Sequence, residues 1–152
     1  MKKKYIIDTC SLINASKNYN INKKVFEEIW KKFDEMINEG LLISISEVKD
    51  EIKDNDLLKW SCGYSNFFVP ITKEIQDNVK MVLKDFPLLI KIKSVANSNA
   101  DPFIVAAAIE MNAIVITDEK ISGGDNPHIP NVCKKYDIEC ISLLDFINTL
   151  FE

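Results

Sequence analysis

Residues 101–119 constrain the fold of this chain more than any other stretch, because they predict a buried helix that leads directly into a buried strand. Asp101 is suited to cap the helix and Pro102 to occupy its first position, where the missing N–H costs nothing. Residues 103–111 are apolar on almost every face, which is typical of a helix packed against a sheet inside a protein. Residues 113–117 then predict a buried strand. This succession indicates an α/β fold with a parallel sheet.

The two ends of this helix–strand unit carry acidic residues that the geometry brings to one edge. A helix of ~11 residues rises ~17 Å, and a strand of ~5 residues covers about the same distance on its return. Asp118 and Glu119 therefore come back to the level of Asp101. In parallel α/β folds, ligands bind at that edge, beyond the carboxyl ends of the strands.

Another acidic residue follows the first predicted strand, residues 5–7. Asp8 lies at the carboxyl end of this strand, and residues 9–11 form a small polar turn that leads into a short helix or a loop. An aspartate at such a position is well suited to cap the following turn. Taken alone, Asp8 is therefore better explained as a cap than as a ligand.

Two glutamates compete for a functional role after the second predicted strand, residues 41–45. Ser44 and Glu47 match a capping box, although Ser46 could equally be the cap. Glu51 lies one helical turn further on, at the border of the buried face, where a carboxylate needs a partner or a metal. We favour Glu51 and keep Glu47 as the alternative.

Periodicity and turn residues predict the remaining elements. These are helices at residues 22–40, 57–68 (interrupted near Gly63), 72–86 and 131–136, a connecting segment at 69–71, a segment at 88–95 that is ambiguous between helix and extended chain, a Gly- and Pro-rich loop at 122–130, a strand at 138–141, and a final helix capped by Ser142. No repeat, linker or low-complexity segment divides the chain. We predict one domain over residues 1–152.

Composition and charge exclude several classes of protein. The chain has 152 residues, of which 47% are hydrophobic, which indicates an ordered globular protein with its own core. No apolar run approaches the ~20 residues of a membrane span, and the N-terminus lacks the apolar core of a signal peptide. We therefore expect a cytoplasmic protein with no membrane partner.

The net charge of −4 argues against binding nucleic acid through bulk electrostatics alone. It does not exclude a local site in which metal ions supply the positive charge. Local basic patches could also form at Lys91, Lys93, Lys134 and Lys135, although each of these is better explained as part of a solvated surface.

The four cysteines, Cys10, Cys62, Cys133 and Cys140, are irregularly spaced and contain no Cys-x-x-Cys pair. This spacing indicates neither a zinc site nor a disulfide framework. We expect reduced and mostly buried thiols.

Together the acidic residues predict a metal site. They fall at the carboxyl ends of strands or in the helical turns that follow, and they are Asp8, Glu47 or Glu51, Asp101, and Asp118 or Glu119. Three or four carboxylates at one edge repel one another, which raises their pKa values unless cations are present. Oxygen ligands suit Mg²⁺ or Mn²⁺, and such ions can position a phosphodiester and activate an attacking water.

Four segments place these residues in a recognisable order, namely residues 5–9 (YIIDT), 46–52 (SEVKDEI), 100–108 (ADPFIVAAA) and 115–119 (VITDE). In these segments the chain resembles the PIN-domain family of metal-dependent ribonucleases, which includes the toxins of many bacterial and archaeal toxin–antitoxin pairs. Residues 123–133 are similar to an elaboration found in a less studied branch of that family. The resemblance implies a single-domain, three-layer α/β/α sandwich with a small, mainly parallel central sheet.

The resemblance also implies roles for individual residues. Asp8, Glu51, Asp101 and Glu119 would be the catalytic carboxylates and would hold Mg²⁺ or Mn²⁺, with Thr9, Glu47 and Thr117 in support. The family's usual ending is Thr-x-Asp, whereas residues 117–119 here read Thr-Asp-Glu, so both Asp118 and Glu119 remain candidates for the last ligand. An RNA substrate, a cognate antitoxin protein and a homodimer are implied on the same basis.

The alternative hypothesis is a non-catalytic module of the same fold that binds protein or RNA. The retained acidic positions argue against it, because a pure binding module has no need to concentrate repelling charge. The sequence therefore favours a metal-dependent endoribonuclease.

Overall fold

The computed structural model describes residues 2–90 and 100–152, which form a central sheet of five parallel strands. The strands are β1 (Tyr5–Ile7), β2 (Leu42–Ile45), β3 (Phe68–Val69), β4 (Ile114–Ile116) and β5 (Cys140–Ile141). Their spatial order is β3-β2-β1-β4-β5, and every neighbouring pair is parallel. All carboxyl ends of the strands therefore lie at the same edge of the sheet.

Helices flank this sheet in a three-layer α/β/α arrangement, which confirms the predicted fold class. They are α1 (Thr9–Asn18), α2 (Glu27–Asn38), α3 (Ser46–Lys49), α4 (Asn55–Cys62), α5 (Lys73–Asp85), α6 (Asp101–Met111), α7 (Ile129–Lys135) and α8 (Leu143–Leu150), with 3₁₀ turns at Lys24–Phe26 and Pro87–Leu89. Helix α6 packs on β1, β2 and β4, and α5 packs against α6. Helices α2 and α8 meet through the rings of Phe33 and Phe146, whose centroids are 5.7 Å apart.

Helix α6 is the buried helix that the sequence predicts. Residues 104–108 are all at most 1% exposed. The helix ends at Asn112, which adopts the left-handed conformation with φ of 50°. However, α6 begins at Asp101 with Ala100 as N-cap, so the predicted cap at Asp101 and the first helical position for Pro102 are wrong by one residue. The first turn of any helix has N–H groups without helical partners, so proline fits its second position as well as its first.

Helix α1 is longer than the short helix or loop predicted after β1. It has ten residues, and its N-cap is Asp8, whose side chain accepts a hydrogen bond from the backbone N–H of Ser11. The capping interpretation of Asp8 is thus confirmed. The cap places this carboxylate between the end of β1 and the start of α1.

The predicted capping box after β2 is wrong. Ser44 is fully buried within β2, and its hydroxyl donates to the carbonyl of Ile7 at 2.9 Å. Helix α3 starts at Ser46 and has Ile45 as N-cap, without a side-chain cap. Because α3 ends at Lys49, Glu51 lies in the turn that follows it, and not on the helix as predicted.

Strand β3 is an element that the sequence analysis assigned to a helix end and a connecting segment. It has only two residues and pairs with Ser44 and Ile45 of β2 at the edge of the sheet. Two residues are too short for a period-2 pattern, so its strand conformation depends on the neighbouring strand.

Two further expectations concern the segment at residues 88–95 with its lysines and the burial of the four cysteines. Residues 91–99, which include Lys91, Lys93 and most of the segment left ambiguous, lie outside the described residues. Of the four cysteines, all free, Cys133 is buried, Cys140 is half-buried, and Cys10 and Cys62 are exposed, so the expectation of mostly buried thiols is wrong. Among the helices of the described ranges, none is both long enough and apolar enough to cross a membrane.

Candidate functional site

The first part of the site is a pair of side chains at the ends of β1 and β4. The two strands are paired in register, with Ile7 beside Ile116, so the next residues, Asp8 and Thr117, also lie side by side. The hydroxyl of Thr117 donates to Asp8 Oδ2 at 2.6 Å, while the N–H of Ser11 donates to Oδ1 at 2.7 Å. Asp8 is only 2% exposed. Its carboxylate is therefore buried and held at both oxygens.

Burial raises the pKa of Asp8 from its ordinary value of 3.8 to about 6, although the hydrogen bonds from Thr117 and Ser11 oppose this rise and the charge of Glu119 adds to it. The ion pairs of the described residues are Lys2 with Glu39 and Lys31 with Glu28, so none of them neutralises Asp8. With this pKa the carboxyl is mostly ionised at neutral pH. It is a buried negative charge without a cationic side chain at ion-pair distance in the described ranges.

A buried hydroxyl next to Asp8 is also incompletely satisfied. Ser11 Oγ is fully buried, and its geometry does not meet the usual limits of a hydrogen bond with any described residue. It nevertheless lies close enough to Asp8 to lower the pKa of that carboxyl. The position of this hydroxyl beside the Asp8 carboxylate indicates that the polar groups here are arranged around negative charge.

Four of the predicted carboxylates surround the start of α1. Burial raises the pKa of the Cys10 thiol, and negative charges raise it further. The charges that act on it are those of Asp8, Glu119, Asp118 and Asp101. The structure thus brings these four side chains, which we call the acidic edge, to the same end of the sheet.

The two competing glutamates are placed differently. Glu51 Oε1 accepts a hydrogen bond from Thr9 Oγ1 at 2.6 Å, and Thr9 directly follows Asp8. Glu51 is thereby connected to the acidic edge through the first residue of α1. Glu47 is half-buried, and no hydrogen bond or ion pair within the described ranges links it to the acidic edge. The contacts favour Glu51 over Glu47.

The two acidic residues after β4 also differ in their surroundings. Both oxygens of Asp118 are engaged, since Oδ2 accepts from Asn14 Nδ2 at 2.8 Å and Oδ1 accepts from the N–H of Leu143 at 2.9 Å. Asp118 therefore joins α1 to the start of α8. Asn14 was not among the predicted site residues, because a polar residue on a helix carries no signal of a partner 104 positions away.

Glu119 points towards a different set of groups. One of its oxygens, Oε2, accepts from the N–H of Ile129, the first residue of α7, at 2.9 Å. Its backbone N–H donates to Thr117 Oγ1 at 3.1 Å, which places it next to the Thr117–Asp8 pair. Since its charge also raises the pKa of Asp8, Glu119 is the residue after β4 whose carboxylate acts on Asp8.

The donor chemistry fits a hard divalent cation, but the ligands are not preassembled. Within residues 2–90 and 100–152, the His, Cys, Asp and Glu side chains form no group of three or more already arranged to hold a metal ion. Glu51 and Glu119 are each turned to a hydrogen-bond donor of the protein. What fits such a cation is the buried charge of Asp8, which no cationic side chain of the described residues pairs with, and the carboxylate oxygens of the acidic edge.

Replacing Thr117 by valine should raise the pKa of Asp8 above about 6, because the hydroxyl that favours the ionised form is lost. Losing a hydrogen bond to a charged group costs about 1.5–3 kcal/mol, which corresponds to a pKa rise of roughly one to two. An NMR titration of the Asp8 carboxyl carbon measures this change. Thr9→Val is the matched control, because Thr9 donates to Glu51 instead, and an equal rise in both variants would contradict the assigned contact.

Comparison with protein-family models gives a match over residues 5–151 to a family described as "Domain of unknown function (DUF4411)". The search of curated proteins returns no match.

Proposed function

We propose that this chain, which belongs to the DUF4411 family, is a metal-dependent endoribonuclease that hydrolyses RNA phosphodiester bonds at the acidic edge. The description of the family assigns no activity, so support for the proposal comes from the site and from the resemblance of its motifs to the PIN-domain ribonucleases. The observation that carries it is the buried carboxylate of Asp8 next to Glu119, which no cationic side chain within residues 2–90 and 100–152 neutralises. A protein gains little by burying such a charge unless a cation joins it.

In this proposal, Asp8, Glu51, Asp101 and Glu119 hold Mg²⁺ or Mn²⁺. A bound ion of this kind would offset the repulsion between the carboxylates and the phosphate and would lower the pKa of the attacking water. Thr117 and Thr9 position Asp8 and Glu51 through the two hydroxyl hydrogen bonds. Asp118 stabilises the site through its hydrogen bonds to Asn14 of α1 and Leu143 of α8.

Substrate access is supported by an open cavity of about 590 Å³ beside Glu119, lined also by Thr117, Lys120 and Cys140. Lys134 and Lys135 are exposed in the last turn of α7 and could contact a backbone phosphate. With a net charge of −4, the protein needs such local positive charge to hold RNA.

The biological role belongs to the same proposal and rests on the PIN-domain resemblance. We propose a toxin that is held in check by a cognate antitoxin protein, acts in the cytoplasm and forms a homodimer. A short reading frame beside the gene that encodes a DNA-binding protein would support this role.

The test is cleavage of a mixed RNA pool that includes folded transfer RNA, in Mn²⁺, in Mg²⁺ and in chelator. The wild-type protein should cut only with a divalent ion present. Asp101→Asn should cut roughly 100-fold more slowly or worse, because loss of a metal ligand removes several kcal/mol of transition-state stabilisation. Asp125→Asn is the matched control, since Asp125 is exposed in the loop before α7 and should leave cleavage unchanged.

Other outcomes would contradict the proposal. Equal cutting by the wild-type and Asp101→Asn proteins would indicate a contaminating nuclease. No cutting by the folded wild-type protein, combined with RNA retention in a gel-shift assay, would favour the non-catalytic binding module.

A further inference from the structure

Asn131, in the first turn of α7, connects the two ends of the Gly- and Pro-rich loop that precedes this helix. Its Oδ1 accepts from the backbone N–H of Ser122 at 2.9 Å and from that of His128 at 3.0 Å, while its Nδ2 donates to the carbonyl of Ser122 at 3.0 Å. We call these three residues the loop neck. One side chain thus forms three hydrogen bonds that close the loop.

The ring of His128 joins the loop neck to the chain that precedes it. Nδ1 lies 2.8 Å from the carbonyl oxygen of Lys120, and because a carbonyl can only accept, Nδ1 carries the hydrogen of this contact. Residues 123–126 are exposed, and nothing lies within 4 Å of the position that a Cβ at Gly123 would occupy. Hydrogen bonds at the loop neck, rather than packing of the exposed loop, therefore fix the two ends of the loop.

The loop neck is adjacent to Glu119 on both sides. Lys120, which His128 contacts, directly follows Glu119, and Ile129, which directly follows His128, donates its N–H to Glu119 Oε2 at 2.9 Å. The other oxygen, Oε1, takes part in no hydrogen bond within residues 2–90 and 100–152. One oxygen of this carboxylate is thus held by the start of α7, and the other is available to a ligand.

We infer that Asn131 is a positioning residue for Glu119. By closing the loop neck, it holds the N–H of Ile129 where this group binds Glu119, and it thereby sets the place of the carboxylate beside Asp8. Asp118 is independent of the loop neck, because its oxygens are bound from α1 and α8. That Glu119 then binds a divalent cation rests on the proposed function, whereas the positioning of its side chain does not.

The competing explanation is that Asn131 only caps α7. The hydrogen bond from the N–H of His128 is one that a residue in the first turn makes to the N-cap residue. The two hydrogen bonds to Ser122 lie outside such a cap, since they join α7 to the far end of the loop. A cap alone predicts a loss of stability with no specific effect at Glu119.

Three substitutions distinguish these explanations. Asn131→Leu removes all three hydrogen bonds with a side chain of similar size, whereas Asn131→Asp keeps both acceptor contacts and is the conservative rescue. Asn126→Leu is the matched control, because Asn126 is exposed in the same loop and forms no hydrogen bond within the described ranges. Circular dichroism establishes that each variant is folded.

The first measurement is amide hydrogen exchange by NMR in chelator, which requires neither a metal nor RNA. The N–H of Leu143, which binds Asp118, is the internal reference for global unfolding. In Asn131→Leu, the N–H of Ile129 should exchange roughly tenfold faster or more relative to this reference, because the start of α7 opens locally. Asn131→Asp and Asn126→Leu should keep the ratio of the wild-type protein.

The second measurement is the affinity of the folded proteins for Mn²⁺ by titration calorimetry. Asn131→Leu should bind Mn²⁺ roughly 10-fold to 100-fold more weakly, as expected for the loss of a residue that orients a metal ligand. Asn131→Asp and Asn126→Leu should stay within about threefold of the wild-type protein, because the ligand remains oriented. Metal-dependent RNA cleavage at low Mn²⁺ should follow the same order.

Two results would overturn the inference. One is an exchange rate of Ile129 in Asn131→Leu that stays unchanged or rises only together with that of Leu143. The other is a folded Asn131→Leu protein that binds Mn²⁺ as tightly as the wild-type protein. If the wild-type protein binds no Mn²⁺, the nuclease proposal fails, and the exchange ratio alone still decides whether Asn131 positions Glu119.

Discussion

Asp8→Asn is expected to make the metal-free protein more stable at pH 8 and to abolish its stabilisation by Mn²⁺. Asparagine retains an oxygen for the N–H of Ser11, so the cap of α1 remains. Its amide can donate to the Thr117 hydroxyl in place of the hydrogen bond that the carboxylate accepts. What disappears is the buried charge.

The pH dependence of this effect follows from the pKa of Asp8, which is about 6 in the folded protein and 3.8 ordinarily. Between these values the folded state binds more protons than the unfolded state, so this group lowers the stability as the pH rises from about 4 to about 6. The loss is nearly complete at about pH 7 and amounts to about 3 kcal/mol. Relative to the wild-type protein, Asp8→Asn should gain up to that amount between pH 4 and pH 8.

Urea denaturation at pH 4 and pH 8, in chelator and in Mn²⁺, measures both effects. In Mn²⁺ the wild-type protein should gain stability through binding to the folded state, and the variant should not. Asp125→Asn, which removes an exposed carboxylate, should follow the wild-type curves. An Asp8→Asn protein that is less stable than wild type at pH 8 in chelator would show that the buried charge is compensated without a metal.

The second large expected effect distinguishes the roles of Asp118 and Glu119, the two acidic residues that follow β4. Glu119→Gln should reduce metal-dependent RNA cleavage roughly 100-fold or more, because the ligand charge beside Asp8 is lost. Its stability in chelator should change by less than about 1 kcal/mol, since the amide oxygen can still accept from the N–H of Ile129. Removing this charge should also lower the pKa of Asp8, which Glu119 raises.

Asp118→Ala should instead lower the stability of the protein and leave RNA cleavage largely unchanged. It leaves Asn14 and the N–H of Leu143 without their shared acceptor. Each lost hydrogen bond should lower the free energy of unfolding by up to about 3 kcal/mol. Cleavage by the molecules that remain folded should stay within about tenfold of wild type. If Asp118→Ala abolishes cleavage at unchanged stability while Glu119→Gln remains active, the assignment of the two roles is reversed.

Local sequence patterns were sufficient for the fold and for the position of Asp8. The continuous apolar runs of α6 and β4 are visible in the local sequence, and the cap at Asp8 involves a residue only three positions away. The alternation of helices and strands predicted the parallel sheet, as observed. Contacts that form within one helical turn or one strand can be read without knowing the rest of the chain.

Tertiary structure decided the role of Ser44, the existence of β3 and the roles of Asp118 and Glu119, because each of these depends on partners that are distant in the sequence. Ser44 looked like a helix cap but satisfies a carbonyl of β1, and β3 exists only through its pairing with β2. The roles of Asp118 and Glu119 differ because one meets the start of α8 and the other the start of α7. Sequence determined that carboxylates follow the strands, whereas the packing of α1, α7 and α8 determined which of them lies next to the buried charge of Asp8.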